Sequence, residues 1–235
     1  MTPSLHEQIA VELHRRGWVH VALPEAAEAE LLIRKLGDVV TNPRTRADHC
    51  DLVPYEIATA PRASMSSLIG TAEQPMHTDA AFSPSPPRYV ALQCLERGEH
   101  DCPTNVWTLD EVKLVRDHPP VLTEPTWVFE NGVDVPFYSS IVERKDGRPR
   151  IRYDPHCMRP ASFSRHTLAR AEHSLQGYTQ QLVFNWQNDE LLIIDNWRCL
   201  HARGSGAEMA PSRRLRRWCI GADYGMGKRI PLRKS

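Results

Sequence analysis

His77 and Asp79 stand one residue apart in Pro75-Met76-His77-Thr78-Asp79-Ala80-Ala81-Phe82. On an extended segment that spacing turns both side chains to one face, so both can reach one ion. A third imidazole, from His201 in the distant stretch Ile194-Asp195-Asn196-Trp197-Arg198-Cys199-Leu200-His201-Ala202-Arg203, would complete a set of two histidines and one carboxylate. Such a facial set suits ferrous iron and leaves coordination positions open for chemistry. His-x-Asp alone is a weak signal, so the reading depends on what surrounds each half.

Two strands have to present these ligands, and the hydrophobic pattern supplies candidates. Glu190 to Asp195 is an almost fully apolar run that feeds straight into Asn196 to His201, and Arg88 to Leu95 reads as a strand buried on at least one face. Thr104 to Thr108 is a further strand, followed by a helix from Leu109 with Thr108 as its N-cap. Upstream, Ile9, Ala10 and Leu13 fall at helical spacing between Leu5 and Arg16, and Gly17 stops the pattern. Trp18 to Leu23 alternates as a strand, and Glu25 to Leu36 reads as a second helix closed by Gly37. From Val39 to Ala63 the pattern weakens to loop and short strands. Thr126 to Phe129 is a strand, Ile141 to Tyr153 a hairpin turning at Asp146-Gly147, and Pro160 to Gly177 a helix. Gln181 to Trp186 is a strand, and Arg213 to Ala222 passes from basic to apolar residues as a last core strand. With no repeat, low-complexity tract or linker, the pattern predicts an α+β, mainly β fold: an antiparallel double-sheet barrel with helical cover, one domain across 1–235.

Composition narrows the function classes. The chain has 235 residues, 41% hydrophobic and 25% charged, enough for one domain with a sizeable core. Lys+Arg 29 balances Asp+Glu 29, so no global field draws nucleic acid or an anionic membrane, and the expected partner is a small molecule. No apolar run reaches the roughly 20 residues that span a bilayer, and residues 1–7 lack the features of a signal peptide, which predicts a cytoplasmic protein. Six cysteines without a Cys-x-x-Cys pair read as reduced, partly buried thiols. His6, His14 and His20 have no partner at ligand spacing and read as ordinary histidines.

Taken together, Met76 to Phe82, Thr104, Leu192 to Arg203 and the Arg213 to Arg217 cluster resemble, in kind and order, the iron(II) and 2-oxoglutarate dependent dioxygenases of the taurine dioxygenase and clavaminate synthase type. The resemblance covers about the C-terminal two thirds of the chain. It implies a double-stranded β-helix (jelly-roll, cupin-like) core, with Fe(II), 2-oxoglutarate and O2 as cofactor and co-substrates. His77, Asp79 and His201 would hold iron, and Thr104 sits where the family places a threonine that contacts the co-substrate. An arginine past the last histidine pairs with the far carboxylate of 2-oxoglutarate, because a planar guanidinium binds both oxygens at once.

Which arginine does so is open, since Arg213, Arg214, Arg216 and Arg217 all lie in range. The family's pair separated by four positions matches Arg213 and Arg217 best. Arg217 is the expected partner of the C5 carboxylate, with Arg213 nearer the substrate or the C1 end. Strand alternation puts Arg217 and Leu215 on one face and Arg214, Arg216 and Trp218 on the other, leaving Arg216 as the main competitor. Asn196 and Trp197 are expected to shape the turn that presents His201. Asp79 itself argues for a hydroxylase over a halogenase, which has a small residue at that position.

The implied reaction hydroxylates an unactivated C–H bond of a small polar substrate, such as an amino acid or an amino-acid-derived natural product, and releases succinate and CO2. Arg152, Asp154, Arg159 and Arg203 are candidate anchors for a zwitterion, and a carrier-tethered aminoacyl group would use the same site. The competing reading is a catalytically silent metal or ligand sensor on the same scaffold. A nucleic-acid role for the Arg213 to Arg217 run would need stacking aromatics and a broader basic surface.

Overall fold

Local chemistry decides where the first helix begins and ends. Ser4 Oγ accepts from Glu7 N at 3.4 Å while the Glu7 carboxylate accepts from Ser4 N at 2.7 Å, a reciprocal cap. Gly17 closes the helix in the left-handed region (φ 81°) and returns its N–H to Leu13 O. A β-carbon at Gly17 would also lie 2.9 Å from Cys199 Sγ, so the turn needs glycine for conformation and for space.

The computed structural model describes residues 4–23, 28–41, 46–62, 64–132, 134–145, 147–161 and 168–221. In chain order these form α1 (Leu5–Arg16), β1 (Trp18–Ala22), α2 (Glu28–Leu36), β2 (Cys50–Leu52), α3 (Ser66–Ile69), β3 (Tyr89–Glu96) and β4 (Thr104–Leu109). Then come α4 (Glu111–Asp117), α5 (Pro120–Thr123), β5 (Trp127–Phe129), β6 (Phe137–Ser139), β7 (Val142–Lys145), β8 (Arg148–Ile151) and β9 (Met158–Pro160). The chain continues through α6 (Leu168–Gly177), β10 (Thr179–Phe184), β11 (Glu190–Asp195), β12 (Cys199–Arg203) and β13 (Arg214–Ile220).

All pairings are antiparallel. One sheet runs β1-β11-β3-β13-β2 and a second β10-β4-β12, with smaller sheets β6-β5-β9 and β7-β8 beside them. Period-two alternation sorts each strand's side chains between two layers. Val90, Leu92, Cys94, Leu192, Ile194 and Leu215 of the five-stranded sheet meet Val106, Phe184 and Cys199 of the β10-β4-β12 sheet. The other face of the larger sheet, Ala91, Leu191, Ile193, Trp218 and Ile220, is covered by Ile9 and Leu13 of α1 and Ala29, Leu32 and Ile33 of α2. Behind the smaller one, Leu200 packs with Met76, Trp127, Phe129, Tyr153, Ala171 and Leu175. Among the described residues no helix is long and apolar enough to cross a membrane.

Several boundaries differ from the sequence expectation, among them that of Gln181 to Trp186, observed as β10 over Thr179–Phe184. Thr108 remains in β4, opposite Gln180 and Cys199, and the helix after it is capped by Asp110, whose carboxylate accepts from Lys113 N at 2.9 Å. A charged acceptor at the first free turn outcompetes a threonine already used in a ladder. Pro160 ends β9 instead of opening a helix, and α6 begins at Leu168; residues 162–167 lie outside the described set, as do 24–27 at the start of the expected second helix and Asp146 in the hairpin turn.

Arg152, expected as a substrate anchor, clamps a loop in the structure. It is buried, its Nη1 donates to Ala81 O at 2.7 Å and to Ser83 O, and its Nη2 donates to Pro84 O at 3.2 Å. The guanidinium lies 5.5 and 5.0 Å from the ring centroids of Phe129 and Phe137. Burial holds its pKa down at about 10, so it stays charged and its donors are used on the loop that follows Asp79. Arg152→Met keeps the packing stem and strands three carbonyls. We expect urea denaturation to show a loss of about 2–3 kcal/mol, the scale of charge-assisted bonds to buried acceptors.

Candidate metal centre

Gln74 to Asp79 lies alongside β12 as an added, interrupted strand. Gln74 N donates to Arg203 O at 2.9 Å; further along, His77 N donates to His201 O at 3.0 Å and His201 N to His77 O at 2.9 Å. This double bond makes His77 and His201 directly opposed residues of an antiparallel bridge, so their rings share one face, with centroids 4.7 Å apart. Alternation then returns Asp79 to that face, while Thr78 points away and exchanges bonds with Tyr153 at 2.7 and 3.1 Å.

Asn196 fixes the third ligand. Its Oδ1 accepts from Asp79 N at 2.8 Å, and its Nδ2 donates to Asp79 O at 3.1 Å and Pro87 O at 3.0 Å. The sequence reading gave Asn196 only the turn before His201. The available signal was an amide placed directly after an apolar strand, since a fully buried amide must satisfy its donors and acceptor locally.

The imidazoles are poised to donate lone pairs. His77 Nδ1 lies 2.9 Å from Pro75 O, and because a carbonyl can only accept, Nδ1 carries a proton and Nε2 is the ring nitrogen left to face an ion. Burial, the neighbouring His77 and Arg217 push the His201 pKa down to about 3, against the pull of Asp79, so its ring is neutral. Burial alone would raise the Asp79 pKa; the Arg217 guanidinium more than reverses this and holds it below the usual carboxylate range. Arg217 Nη1 reaches Asp79 Oδ1 at 2.9 Å and Oδ2 at 3.1 Å. One ligand atom from each of His77, Asp79 and His201 lies within 4.8 Å of the others, all three residues are buried, and this is the one such group among the described residues. Two imidazoles and one carboxylate fit a divalent iron.

The arginines separate as alternation requires. Leu215 enters the layer between the sheets and Trp218 packs toward the helices. Arg216 lies on the outer face, where its Nε and Nη2 hold Asp51 at 2.8 and 3.1 Å, and Arg214 is exposed. Arg213 is buried, with Nε donating to Cys102 O at 3.1 Å, two residues along the chain from Thr104. Thr104 is buried, opposite Arg203 of β12, and its Oγ1 accepts from Trp186 Nε1 at 3.0 Å. Arg203 follows His201 on the same face, but its Nη2 donates to Gly70 O and Ala72 O, both at 2.7 Å. Those contacts tie its Nη2 to the approach to His77.

Asp154 follows Tyr153, the residue that bonds Thr78 between His77 and Asp79. Burial would raise the Asp154 pKa, but the bond from His156 N at 2.9 Å and the His156 ring 3.4 Å away lower it, so it is an anion. A separate cavity of about 390 Å³, walled by Met76, Trp107, Glu172 and Gln181, includes none of the three ligands.

No family model matches the chain. It is 28% identical over 173 residues to an L-lysine 3-hydroxylase of Catenulispora acidiphila, an alignment covering 65% of this chain and 45% of that protein, so the chain spans about half the length of that relative. A solved asparagine oxygenase in complex with Fe(II), 2S,3S-3-hydroxyasparagine and succinate superposes with a TM-score of 0.71 at 17% identity, over 92% of this chain and 78% of that one. The non-haem iron oxygenase OrfP with Fe and alpha-ketoglutaric acid gives 0.70 at 19%, over 94% and 80%. OrfP with Fe, succinate and (3R,4R)-dihydroxy-L-Arg gives 0.69 at 19%, over 93% and 80%. The chain thus has the mainly β fold of these solved non-haem iron oxygenases.

Proposed function

We propose that this chain is an Fe(II)- and 2-oxoglutarate-dependent dioxygenase, built as one domain on a double-stranded β-helix, that hydroxylates a C–H bond of an amino acid or amino-acid-derived molecule and releases succinate and CO2. The observation that carries the reading is the His77–His201 bridge with Asp79 beside it. Iron, with 2-oxoglutarate and O2, supplies the oxidising power when bound; His77, Asp79 and His201 would hold it. The protein's own work is to orient the ligands and to place the co-substrate and substrate.

Geometry favours Arg213 over Arg217 for the C5 carboxylate. Thr104 stands opposite Arg203 where Val106 stands opposite His201, one two-residue repeat of about 6.7 Å further along the strand. That step is comparable with the length of a five-carbon diacid whose other end sits at the metal. Arg213 bonds at Cys102, on the same side as Thr104, whereas Arg217 is engaged with the metal-binding carboxylate itself. In this assignment Thr104 and Arg213 receive the C5 carboxylate, and Arg217 steadies Asp79 and borders the substrate.

For the substrate, Asp154 is the one acidic residue of the expected anchors; it adjoins Tyr153, which bonds Thr78, its carboxylate accepts from His156, and as an anion it would select a cation. The lysine hydroxylase relative and the OrfP complexes with hydroxylated arginine agree with a basic amino acid. Anaerobic titration with Fe(II) and 2-oxoglutarate should produce a visible charge-transfer band that is absent in His77→Ala. Arg213→Ala should need roughly tenfold to hundredfold more 2-oxoglutarate, the loss of one charge-assisted contact, and Arg217→Ala clearly less. The reverse order would return the C5 carboxylate to Arg217, and no band in folded wild type would leave the sensor reading. Under O2, lysine or arginine should stimulate succinate release more than neutral amino acids. Asp154→Asn should raise KM for the basic amino acid by about tenfold, and stimulation by neutral amino acids alone would reject this substrate class.

A further inference from the structure

Trp186 has an indole N–H that can donate and nothing that can accept. Its bond to Thr104 Oγ1 therefore has one direction: the threonine oxygen accepts. Both residues are buried, at 4% and 3% exposure, and among the described residues this is the one bond that the Thr104 side chain makes. The hydroxyl proton is thus turned away from Trp186 and left to be donated elsewhere.

The indole is itself held in place. His20 meets it edge-on with centroids 5.8 Å apart, and the same imidazole packs against Phe184 at 5.3 Å. His20 Nε2 lies 3.2 Å from Glu190 Oε2, while Phe184 is the cross-strand neighbour of Thr104. Rotation of the indole away from Thr104 would have to displace this packed group. A hydroxyl that accepts one hydrogen bond is also polarised to donate a stronger second one.

We propose that Trp186 is a positioning residue for the co-substrate: its N–H makes Thr104 an obligate donor, aimed at the C5 carboxylate of 2-oxoglutarate. The carboxylate would then be met by one neutral O–H and the Arg213 guanidinium. This rests on the assignment of Thr104 and Arg213 to that carboxylate. A tryptophan kept only for packing would need its N–H satisfied by any acceptor, with no effect on how tightly 2-oxoglutarate binds.

A double-mutant cycle on the full chain separates the two roles. The dissociation constants of Fe(II) and of 2-oxoglutarate to the Fe(II)-loaded protein are measured anaerobically by calorimetry for wild type, Trp186→Phe, Thr104→Val and the double variant. Thr104→Val should weaken 2-oxoglutarate binding by about tenfold, the scale of one hydrogen bond to a charged group. Trp186→Phe should weaken it by roughly threefold to tenfold in wild type and not further in the Thr104→Val background, because the N–H acts only through the hydroxyl. Fe(II) affinity should be unchanged in all. If Trp186→Phe disturbs folding, 3-benzothienylalanine at position 186, which keeps the ring shape without the N–H, replaces it in the cycle. An unchanged affinity on loss of the N–H, or an equal loss in both backgrounds, overturns the positioning role while leaving the co-substrate assignment intact. No effect of Thr104→Val overturns the assignment of Thr104 and this inference with it.

Discussion

Everything at the metal centre depends on one pair of backbone hydrogen bonds, those exchanged by His77 and His201. Side chains directly opposed across an antiparallel bridge have their β-carbons about 4.5–5.5 Å apart, close enough for two imidazoles to face one ion without any distortion of the chain. The neighbouring positions follow from that register. Asp79 returns to the same face by alternation, and Arg203 is placed one repeat beyond His201, where it closes over the carbonyls of Gly70 and Ala72. A slip of the segment by one residue would bury Thr78 where Asp79 belongs and turn both ligands outward.

The bonds that keep this register come from three stretches of the chain. β12 provides the ladder, Tyr153 takes Thr78, Asn196 takes the backbone of Asp79, and Arg152 takes the carbonyls of Ala81, Ser83 and Pro84. Each partner is buried, so each bond is formed in a medium where leaving it unmade costs more than it would in water. The irregular segment from Gln74 to Pro84 is in this way held as firmly as a ladder strand, although few of its residues belong to one. Fixed ligands reduce the reorganisation needed to receive a metal, which is the general condition for a site that orients chemistry.

What the sequence made legible follows the same division. Periodicity and end signals located α1, closed by Gly17, and the apolar strand β11 with the bounds observed, because each is governed by its own residues. Alternation also placed Arg216 opposite to Leu215, and the structure finds it on the outer face with Asp51. Other features had no local signal. The short strands β6 and β9 carry too few residues to show a period, and pairing with β5 makes them strands. Arg152 and Arg203 read as substrate anchors because charge on a small domain is read as exposed or functional; their partners are backbone carbonyls, which no sequence pattern marks. For Asn196 the pattern pointed to the right turn and missed the residue across the sheet that the amide grips.

Arg217 raises a question of charge balance that the fold answers geometrically. A buried carboxylate that is to bind a dication must stay ionised before the ion arrives, and burial works against that. The guanidinium supplies the compensating charge from β13, and it does so through one nitrogen bonded to both oxygens instead of through its two-nitrogen fork. A fork would occupy both carboxylate oxygens along their best directions. The single-nitrogen contact can pivot to one oxygen and release the other toward His77 and His201. The pairing therefore holds Asp79 charged and oriented, and leaves it able to serve a metal and an arginine at the same time.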